Sequence, residues 1–450
     1  MSSIKVLHIT PHLGGGVGTV VLGWIKKEGE LSTDYLHEIL CLEENKNPVV
    51  KEFKERGLSI CEGVYNKRNL LKRCIARTDL VLIHWWNHPR LFDLLTNFDF
   101  PPCRLILWNH VSSLYPPYNI SEKLVNFSDC FVFTSPVSFH AEEVKCLPEY
   151  LRERLDVVWS AFGSEDFDVP GKVGHSGFVV GFTGTVDYGK LHPRFLVMCS
   201  RIEIPGVQFI VCSGDSQERV RNEAICLGVA DKFSFKGRVP DIRPYLSMFD
   251  VFGYPLQPRH FGTCEQALGE AMAAGVVPVV LDNPAERYIV EDGVTGIIAK
   301  TEEEYCRAIE YLYHNPARRE VMSRNASKSA REKYSMTKKI EAWRRIFGRV
   351  VRQNKRERRW DTKKGRTGAE VFIESLGRHG EVFAEYILAK KTGNRSKLMG
   401  LEQRIMELFE TNCQWHSETK GGVKHYLKVF PHDPYLQEWK AILERGLGAN

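Results

Sequence analysis

The chain has 450 residues, of which 43% are hydrophobic and 26% are charged. This composition excludes a disordered chain, and the length exceeds what one hydrophobic core usually supports, so we expect two core domains and an appendage. No apolar run reaches the roughly 18 residues that a membrane-spanning helix needs. The first residues, MSSIKVLHIT, lack the pattern of a secretory signal, which favours a cytoplasmic protein.

Positive charge is concentrated towards the end of the chain. The formal net charge is +6, and residues 351–450 contain 19 Lys and Arg against 13 Asp and Glu, which is the whole surplus. The most basic stretch is 344–366. It suits an anionic partner or surface, and it equally suits a solvated helix face followed by a charged linker. No nucleic-acid motif accompanies it, so we expect no nucleic-acid partner.

Strand-like and helix-like patterns alternate through the first 350 residues, which predicts an α/β fold with parallel sheets. The first strand is IKVLHIT (4–10), and the loop HLGGGVG opens a helix after it. Four further apolar runs complete one open sheet: HEILCL, DLVLIHWW, RLILWNH and CFVFTS. Gly, Asp, Ser and Pro then crowd residues 160–177, which marks a break between domains.

The same alternation restarts after that break and predicts a second Rossmann-type half. Its strand-like runs are FVVGFTGTV, VQFIVCSGD, KFSFKGR, FDVFGYPL and VVPVVLD. The expected domains are therefore 1–165, 166–350 with closing helices, and 351–450 as a basic linker with a mainly helical extension. One segment of that extension, HYLKVF, has a strand-like pattern.

The glycine-rich loop after the first strand is a candidate binding element. Gly15 and Gly16 lie in the run GGGVG, where backbone amides can approach an anionic or sugar group without interference from Cβ atoms. The spacing is a poor dinucleotide fingerprint, because Thr19 stands in the place of the third glycine. A tight turn without a ligand is an interpretation of equal weight.

Residues 260–275 form the most informative segment. Thr263 and Gln266 stand at capping-box spacing, which predicts Thr263 as the N-cap of a helix whose first amides, with Gly262 before them, suit a pyrophosphate. Glu265 and Glu270 follow, about 140° apart around a helix, so they do not form the paired carboxylates of a hydrolase. Acidic groups repel phosphates, so we expect these two to accept hydrogen bonds from sugar or ribose hydroxyls.

This segment resembles the signature of GT-B glycosyltransferases of family 4, in which Glu-Ala-Met-Ala-x-Gly-x-Pro-Val-Val closes a donor-binding loop and helix. The resemblance implies that Glu270 binds the ribose of the donor. The family's earlier glutamate stands eight residues before that position, where this chain has Gly262. Either Glu265 takes over the contact with the transferred sugar, or Glu265 merely complements the helix dipole.

A second segment, GFTGTVDYGK (181–190), resembles the family's Gly-Arg-Leu-Asp-x-x-Lys-Gly motif. By this resemblance Lys190 neutralises the donor phosphates, and Thr185 replaces the arginine of the usual pair. Arg238, which follows another strand, is a candidate for the missing cation. The alternative is that Arg238 pairs with Asp241 on the surface.

A histidine completes the sites that the resemblance suggests. His110 closes the strand-like run RLILWNH and resembles the histidine that the family holds near the donor sugar, so His110, Glu265 and Lys190 are the expected catalytic residues. His84 and His88 invite a comparison with metal ligands, but no further ligand stands at suitable spacing. We therefore expect no metal.

The resemblance as a whole implies a GT-B fold, in which two Rossmann-like domains face a central cleft. It implies transfer of a sugar from a UDP- or GDP-linked donor, with retention of anomeric configuration and no other cofactor. Phe347 and Trp360 in the basic stretch suggest a peripheral contact with an anionic membrane that carries a lipid-linked glycan acceptor. A catalytically silent sugar-binding or assembly subunit is the main alternative, and an epimerase of related architecture is the third.

Overall fold

The computed structural model describes residues 3–45, 49–214 and 217–447. Packing divides the chain into two compact units. Unit 1 combines the chain up to Val158 with the chain from Ile340 onward, and unit 2 is Trp159–Lys339. Each unit has its own hydrophobic core and its own parallel sheet.

Unit 1 contains a seven-stranded parallel sheet in the order β3-β2-β1-β4-β6-β7-β8. The strands of this region are β1 Ile4–Thr10, β2 Tyr35–Cys41, β3 Ser59–Cys61, β4 Leu80–Trp85, β5 Phe100–Cys103, β6 Leu105–Asn109, β7 Cys130–Phe133 and β8 Leu155–Val157. Five of the seven coincide with the predicted apolar runs. The two edge strands, β3 and β8, have three residues each and are too short to show a pattern.

Helices connect these strands and cover the sheet, as parallel crossovers require. They are α1 Gly15–Leu31, α2 Val49–Glu55, α3 Arg68–Arg77, α4 Pro89–Asn97, α5 Glu122–Phe127, α6 Glu142–Lys145 and α7 Glu149–Arg152. Helix α1 begins at Gly15, within the predicted loop HLGGGVG, so the second half of that loop is helical.

Unit 2 contains a six-stranded parallel sheet in the order β11-β10-β9-β12-β13-β14. Its strands are β9 Phe178–Thr183, β10 Val207–Cys212, β11 Phe233–Gly237, β12 Val251–Tyr254, β13 Val277–Leu281 and β14 Ile297–Ala299. Its helices are α8 Phe195–Ser200, α9 Glu218–Cys226, α10 Arg243–Leu246, α11 Gln266–Ala273, α12 Glu302–His314 and α13 Pro316–Lys333. All five predicted strands are present, and the short edge strand β14 is additional.

The rest of the chain is mainly helical, as expected for the extension. It consists of α14 Met336–Val350, β15 Arg356–Arg358, α15 Gly368–Ser375, α16 Glu381–Lys391, α17 Arg395–Glu410, α18 Val423–Val429 and α19 Pro434–Leu447. Strand β15 pairs antiparallel with β5. The residues predicted as a separate range, 351–450, therefore belong to the packing of unit 1, whose core includes Phe372 and Trp439.

The strand-like interpretation of HYLKVF was wrong, because these residues lie mostly in α18. Six residues are too few to separate the two periodicities. Val423 and Tyr426, three residues apart, are both buried, which is the spacing of one helix face.

The basic stretch 344–366 is largely engaged with unit 1 itself. Phe347 is fully buried and Trp360 is 8% exposed, so the expectation that these rings contact a membrane was wrong. Arg358 is buried against Asp129, and Arg366 is buried and donates to the carbonyl of Thr96. The stretch therefore fastens the extension to the sheet of unit 1.

Candidate active site

Lys190 and Glu265 meet in unit 2 although 75 positions separate them. Lys190 lies in the loop after β9, and Glu265 stands directly before α11. The Nζ atom of Lys190 is 2.7 Å from Oε2 of Glu265, and the hydroxyl of Tyr254 donates to the same oxygen at 2.8 Å. Lys190, which the sequence predicted, and Tyr254, which it did not reveal, thus both bind the carboxylate of Glu265.

Hydrogen bonds fix the loop that carries Lys190. The carboxylate of Asp187 accepts from the amide of Gly189 at 2.8 Å. The amide of Gln257 donates to the carbonyl of Lys190 at 2.9 Å, and its side-chain amide donates to the carbonyl of Gly189 at 2.9 Å. Lys190 is therefore tied to the segment that follows β12. Thr185, the predicted substitute for an arginine, is exposed at the start of the same loop.

Helix α11 begins at Gln266, and Glu265 occupies its N-cap position. The prediction of Thr263 as N-cap was therefore wrong. The Glu265 side chain does not cap the helix, because its carboxylate instead binds Lys190 and Tyr254. Thr263 is a buried residue of the preceding loop.

Gly262 is required by the position of that carboxylate. A Cβ atom at residue 262 would overlap Oε1 of Glu265 and would lie 2.8 Å from Nδ1 of His260. The amide of Gly262 donates to the same nitrogen of His260 at 3.0 Å. The Glu265 carboxylate thus occupies the space where a side chain of residue 262 would begin.

A second acidic group lies behind the first. The Nε2 atom of His260 is 3.1 Å from Oε1 of Glu286, whose side chain is fully buried. Burial lowers the pKa of His260, but Glu286 and Glu265 outweigh this effect and raise the pKa above its ordinary value. Burial raises the pKa of Glu265, but Lys190 and His260 outweigh it and lower the pKa. The site therefore holds an ionised carboxylate in a buried setting.

Tyr254, His260 and Glu286 were missed as functional candidates. Tyr254 ends an apolar strand, and Glu286 lies in an ordinary helical turn, so neither has a local signal. His260 opens the segment HFGTCE, and its position two residues before Gly262 is the only sequence cue to its contact.

Glu270 lies on α11 in a half-buried position. Within the described ranges, no hydrogen bond or ion pair involves its carboxylate. Burial raises its pKa to about 7. This carboxylate can therefore accept hydrogen bonds from a ligand, and it does so best when ionised.

Arg238 is exposed directly after β11. The alternative that it pairs with Asp241 was wrong, because Arg243 holds that carboxylate at 2.9 Å. Arg238 forms no ion pair in the part of the chain that the structure describes. A surface guanidinium with this freedom can bind a phosphate.

The remaining predicted residues belong to unit 1. Gly15 and Gly16 are exposed at the start of α1, and Gly15 has a φ of +62°, which a side chain would strain. His110 is half-buried directly after β6, at the carboxyl edge of the sheet. Ligands of open parallel sheets bind along this edge.

Among residues 3–45, 49–214 and 217–447, no group of three or more His, Cys, Asp or Glu side chains is arranged to hold a metal ion. In the same ranges, no helix combines the length and the apolar character needed to cross a bilayer.

Comparisons with known proteins concern the segment that contains several of these residues. Residues 166–329 match the family described as Glycosyl transferases group 1, and this range contains Lys190, Glu265 and Glu270. The segment of unit 2 that carries these three residues is thus similar to the glycosyl transferases group 1 family. HepE of Anabaena, solved in complex with UDP-glucose, has a similar fold with a TM-score of 0.62 at 13% identity, covering 77% of this chain and 100% of HepE. The fold is accordingly of the GT-B class, with two Rossmann-like domains.

Two curated relatives match shorter parts of the chain. An uncharacterised glycosyltransferase of Haemophilus influenzae is 30% identical over 142 residues, which is 31% of this chain and 39% of the relative. The lipopolysaccharide core biosynthesis mannosyltransferase LpcC of Rhizobium leguminosarum is 24% identical over 140 residues, again 31% of this chain and 39% of the relative. The chain thus matches about two fifths of the length of each.

Proposed function

We propose that this protein is a glycosyltransferase that moves a sugar from a UDP- or GDP-linked donor to a glycan or a lipid-linked glycan. The observation that carries the proposal is the junction of Lys190, Tyr254 and Glu265, placed after β9 and before α11 within the segment that matches the family. LpcC, a lipopolysaccharide mannosyltransferase, and HepE, which binds UDP-glucose, support the class of donor and a role in cell-surface polysaccharide synthesis.

Three side chains bind the nucleotide part of the donor, namely those of Lys190, Arg238 and Glu270. Lys190 and the exposed Arg238 supply positive charge for the two phosphates, since Thr185 cannot supply the second cation. The Glu270 carboxylate accepts hydrogen bonds from ribose hydroxyls.

Glu265 takes the place of the glutamate that the family carries eight residues before Glu270. The Glu265 carboxylate occupies the volume in which the Cβ atom of any other residue at position 262 would lie. Lys190 and Tyr254 hold this carboxylate in one orientation. It is thereby prepared to accept hydrogen bonds from the transferred sugar.

The chemistry we propose is a substitution on one face of the sugar with retention. The bond between the anomeric carbon and the diphosphate oxygen breaks while the acceptor hydroxyl approaches from the same side, and the departing oxygen takes the proton of that hydroxyl. Lys190 stabilises the negative charge that develops on the diphosphate. The positive charge of Lys190 takes the place of a metal ion at the diphosphate. No covalent bond forms between the sugar and a side chain.

The test combines donor binding with turnover. We expect UDP-glucose or GDP-mannose to raise the melting temperature of the full chain, and the release of nucleoside diphosphate to depend on a glycan acceptor. Lys190→Ala and Glu270→Ala each remove a charged partner, so donor affinity or turnover should fall about 10-fold or more. Lys328→Ala, an exposed lysine on α13, is the matched control.

The outcomes separate the alternatives. Near-normal transfer in both Lys190→Ala and Glu270→Ala would end the assignment. Donor binding without turnover on any glycan would identify the chain as a silent sugar-binding subunit instead.

A further inference from the structure

Helix α3 of unit 1 has a strongly basic outer face. Residues 63–78, which contain the helix, include five basic residues and no acidic one. The helix buries three residues in the core of unit 1, namely Leu71, Cys74 and Ile75. Its opposite face is therefore solvated and positively charged.

Three of the five basic side chains keep their charge uncompensated. The other two form ion pairs within unit 1, Arg68 with Asp93 and Arg77 with Glu38. Lys67, Lys72 and Arg73 are exposed, and no ion pair involves them within the part of the chain that the structure describes. Exposed charge of one sign attracts an external partner of the opposite sign.

A segment of the extension adds to this basic face. Nζ of Lys355 donates at 2.6 Å to the carbonyl of Thr78, the C-cap residue of α3. This hydrogen bond ties residues 355–364 to the end of the helix. Arg359 and Lys364 belong to the same segment, and both are exposed.

The environment of Asp99 shows that the helix and the segment meet. The Asp99 carboxylate accepts from Nζ of Lys364 at 2.7 Å, and its side chain is 65% exposed. The hydrogen bond and the charge of Lys364 lower the pKa of Asp99, and the charges of Lys72 and Arg359 add to this effect. Basic side chains from α3 and from the extension therefore lie near one exposed carboxylate.

Five exposed side chains make up what we call the α3 surface: Lys67, Lys72, Arg73, Arg359 and Lys364. Asp99 and Glu357 each pair with one of them, so five positive charges stand against two negative ones. We propose that the α3 surface docks unit 1 on a membrane that contains anionic lipids. The phosphate groups of such lipids supply the complementary charge, and each basic residue near the membrane strengthens binding about fivefold.

The aromatic residues of these segments favour a lipid surface over a nucleic acid. Tyr65 and Trp360 are the aromatic residues of 63–78 and 355–364, and neither is exposed. Arg68 lies 4.9 Å from the ring centroid of Tyr65, and Lys123 lies 5.9 Å from that of Trp360. Proteins that bind single strands offer exposed rings to the bases, whereas lipid headgroups need only charge.

Co-sedimentation of the full chain with vesicles tests the proposal. We expect binding to phosphatidylcholine vesicles that contain about one third phosphatidylglycerol, and little binding to phosphatidylcholine alone. Salt at about 1 M should release the protein, because the Debye length is then only about 3 Å.

Paired variants locate the contact. Lys72→Gln combined with Arg73→Gln removes two charges and keeps good helix formers, so binding to the anionic vesicles should fall about 25-fold. Lys236→Gln combined with Lys328→Gln is the matched control, because both lysines are exposed in unit 2 and the loss of net charge is the same. This control should change binding less than about twofold.

Asp99→Asn should change binding in the opposite direction. It removes a negative charge from the α3 surface, so binding to the anionic vesicles should strengthen about fivefold. The melting temperature of each variant shows whether it is folded. Unchanged or weaker binding by a folded Asp99→Asn protein would contradict the proposal.

Three further outcomes would overturn it: a wild type that does not sediment with anionic vesicles, equal binding to both kinds of vesicle, or equal losses in the two double variants. Binding to heparin or RNA through Lys72 and Arg73, without binding to vesicles, would identify a soluble polyanion as the partner instead. The proposal does not rest on the donor site. Vesicle binding by a chain that binds neither UDP-glucose nor GDP-mannose would support the α3 surface and refute the proposed function.

Discussion

The Glu265 carboxylate is the residue-scale feature on which the proposed donor site depends. It is paired with Lys190, so in the proposed complex a diphosphate would compete with Glu265 for the same ammonium. Tyr254 also donates to this carboxylate, which reduces the cost of losing part of the Lys190 contact. Lys190 can thus turn towards a diphosphate while the Glu265 carboxylate keeps the hydrogen bond from Tyr254.

Glu270 gives the site a measurable pH dependence. Burial raises its pKa from an ordinary 4.5 to about 7. The stability that this group contributes is therefore fully present below about pH 4.5 and is lost as the pH rises through about 7, by at most about 3 kcal/mol. The glutamine of Glu270→Gln stays neutral at every pH. In urea titrations, we therefore expect the unfolding free energy of this variant to rise relative to that of the wild type between about pH 5 and about pH 8.

Ligand binding should change in the opposite sense. In the proposed complex the ionised Glu270 accepts hydrogen bonds from ribose hydroxyls. Because protonation removes an acceptor, wild-type affinity for UDP-glucose or GDP-mannose should fall as the pH drops below about 7. Glu320→Gln, on the exposed face of α13, is the control for both measurements. If the unfolding free energies of the wild type and Glu270→Gln depended on pH in the same way, burial would not raise the pKa of Glu270.

Sequence reasoning located these residues unevenly. Lys190, Glu265 and Glu270 lie in local motifs, so their numbers could be read from the chain. The partnership of Glu265 with Tyr254 joins the end of a strand to the start of a helix, and no local pattern encodes it. The error at Thr263 has the same origin, because a capping-box spacing does not show that the carboxylate of Glu265 has a stronger use elsewhere.

At the scale of elements, β15 fastens the basic stretch to unit 1. Arg358 is 3% exposed, donates to the carbonyls of Phe127 and Cys103, and pairs with Asp129. Arg359, the next residue, is exposed and pairs with the exposed Glu357 at 3.4 Å. Two adjacent arginines of one segment thus have opposite environments.

Arg358→Met should destabilise the protein by about 1–3 kcal/mol, since the buried carbonyls of Phe127 and Cys103 lose their donor while Asp129 keeps its ion pair with Arg356 at 2.9 Å. Arg359→Met should change stability by less than about 0.5 kcal/mol. Urea unfolding followed by circular dichroism compares the two directly. Equal effects of the two substitutions would contradict the role of β15 as a buried fastener.

The elements that the sequence predicted well are those with long patterns. Central strands such as β4 are apolar throughout because both faces of a parallel sheet are covered. Edge strands of three residues, and α18 with seven, are shorter than the window in which the two periodicities differ. Their conformation is decided by the neighbours they pack against.

At the scale of the whole molecule, the chain forms two cores rather than two cores with an appended tail. The core of unit 1 includes Phe92 from the first part of the chain and Phe372, Phe383 and Trp439 from the extension. The core of unit 2 lies entirely within Trp159–Lys339. An amphipathic helix shows in its sequence which face is buried but not what covers it, so the destination of the extension could not be predicted.

Trp439 tests this organisation. Its ring is fully buried and lies 4.8 Å from the ring of Phe383. Trp439→Ala should cost about 3–5 kcal/mol and lower the melting temperature of unit 1. Met399→Ala, 77% exposed on α17, is the matched control and should leave it unchanged.

Calorimetry of the full chain separates the units, because a donor bound to unit 2 stabilises the transition of that unit. We expect UDP-glucose or GDP-mannose at about 100 times its Kd to stabilise one transition by about 2.7 kcal/mol, and Trp439→Ala to lower the other. A Trp439→Ala protein in which both transitions keep their temperatures would show that the extension contributes nothing to the core of unit 1. The stability of unit 1 would then have to come from packing within the first 158 residues alone.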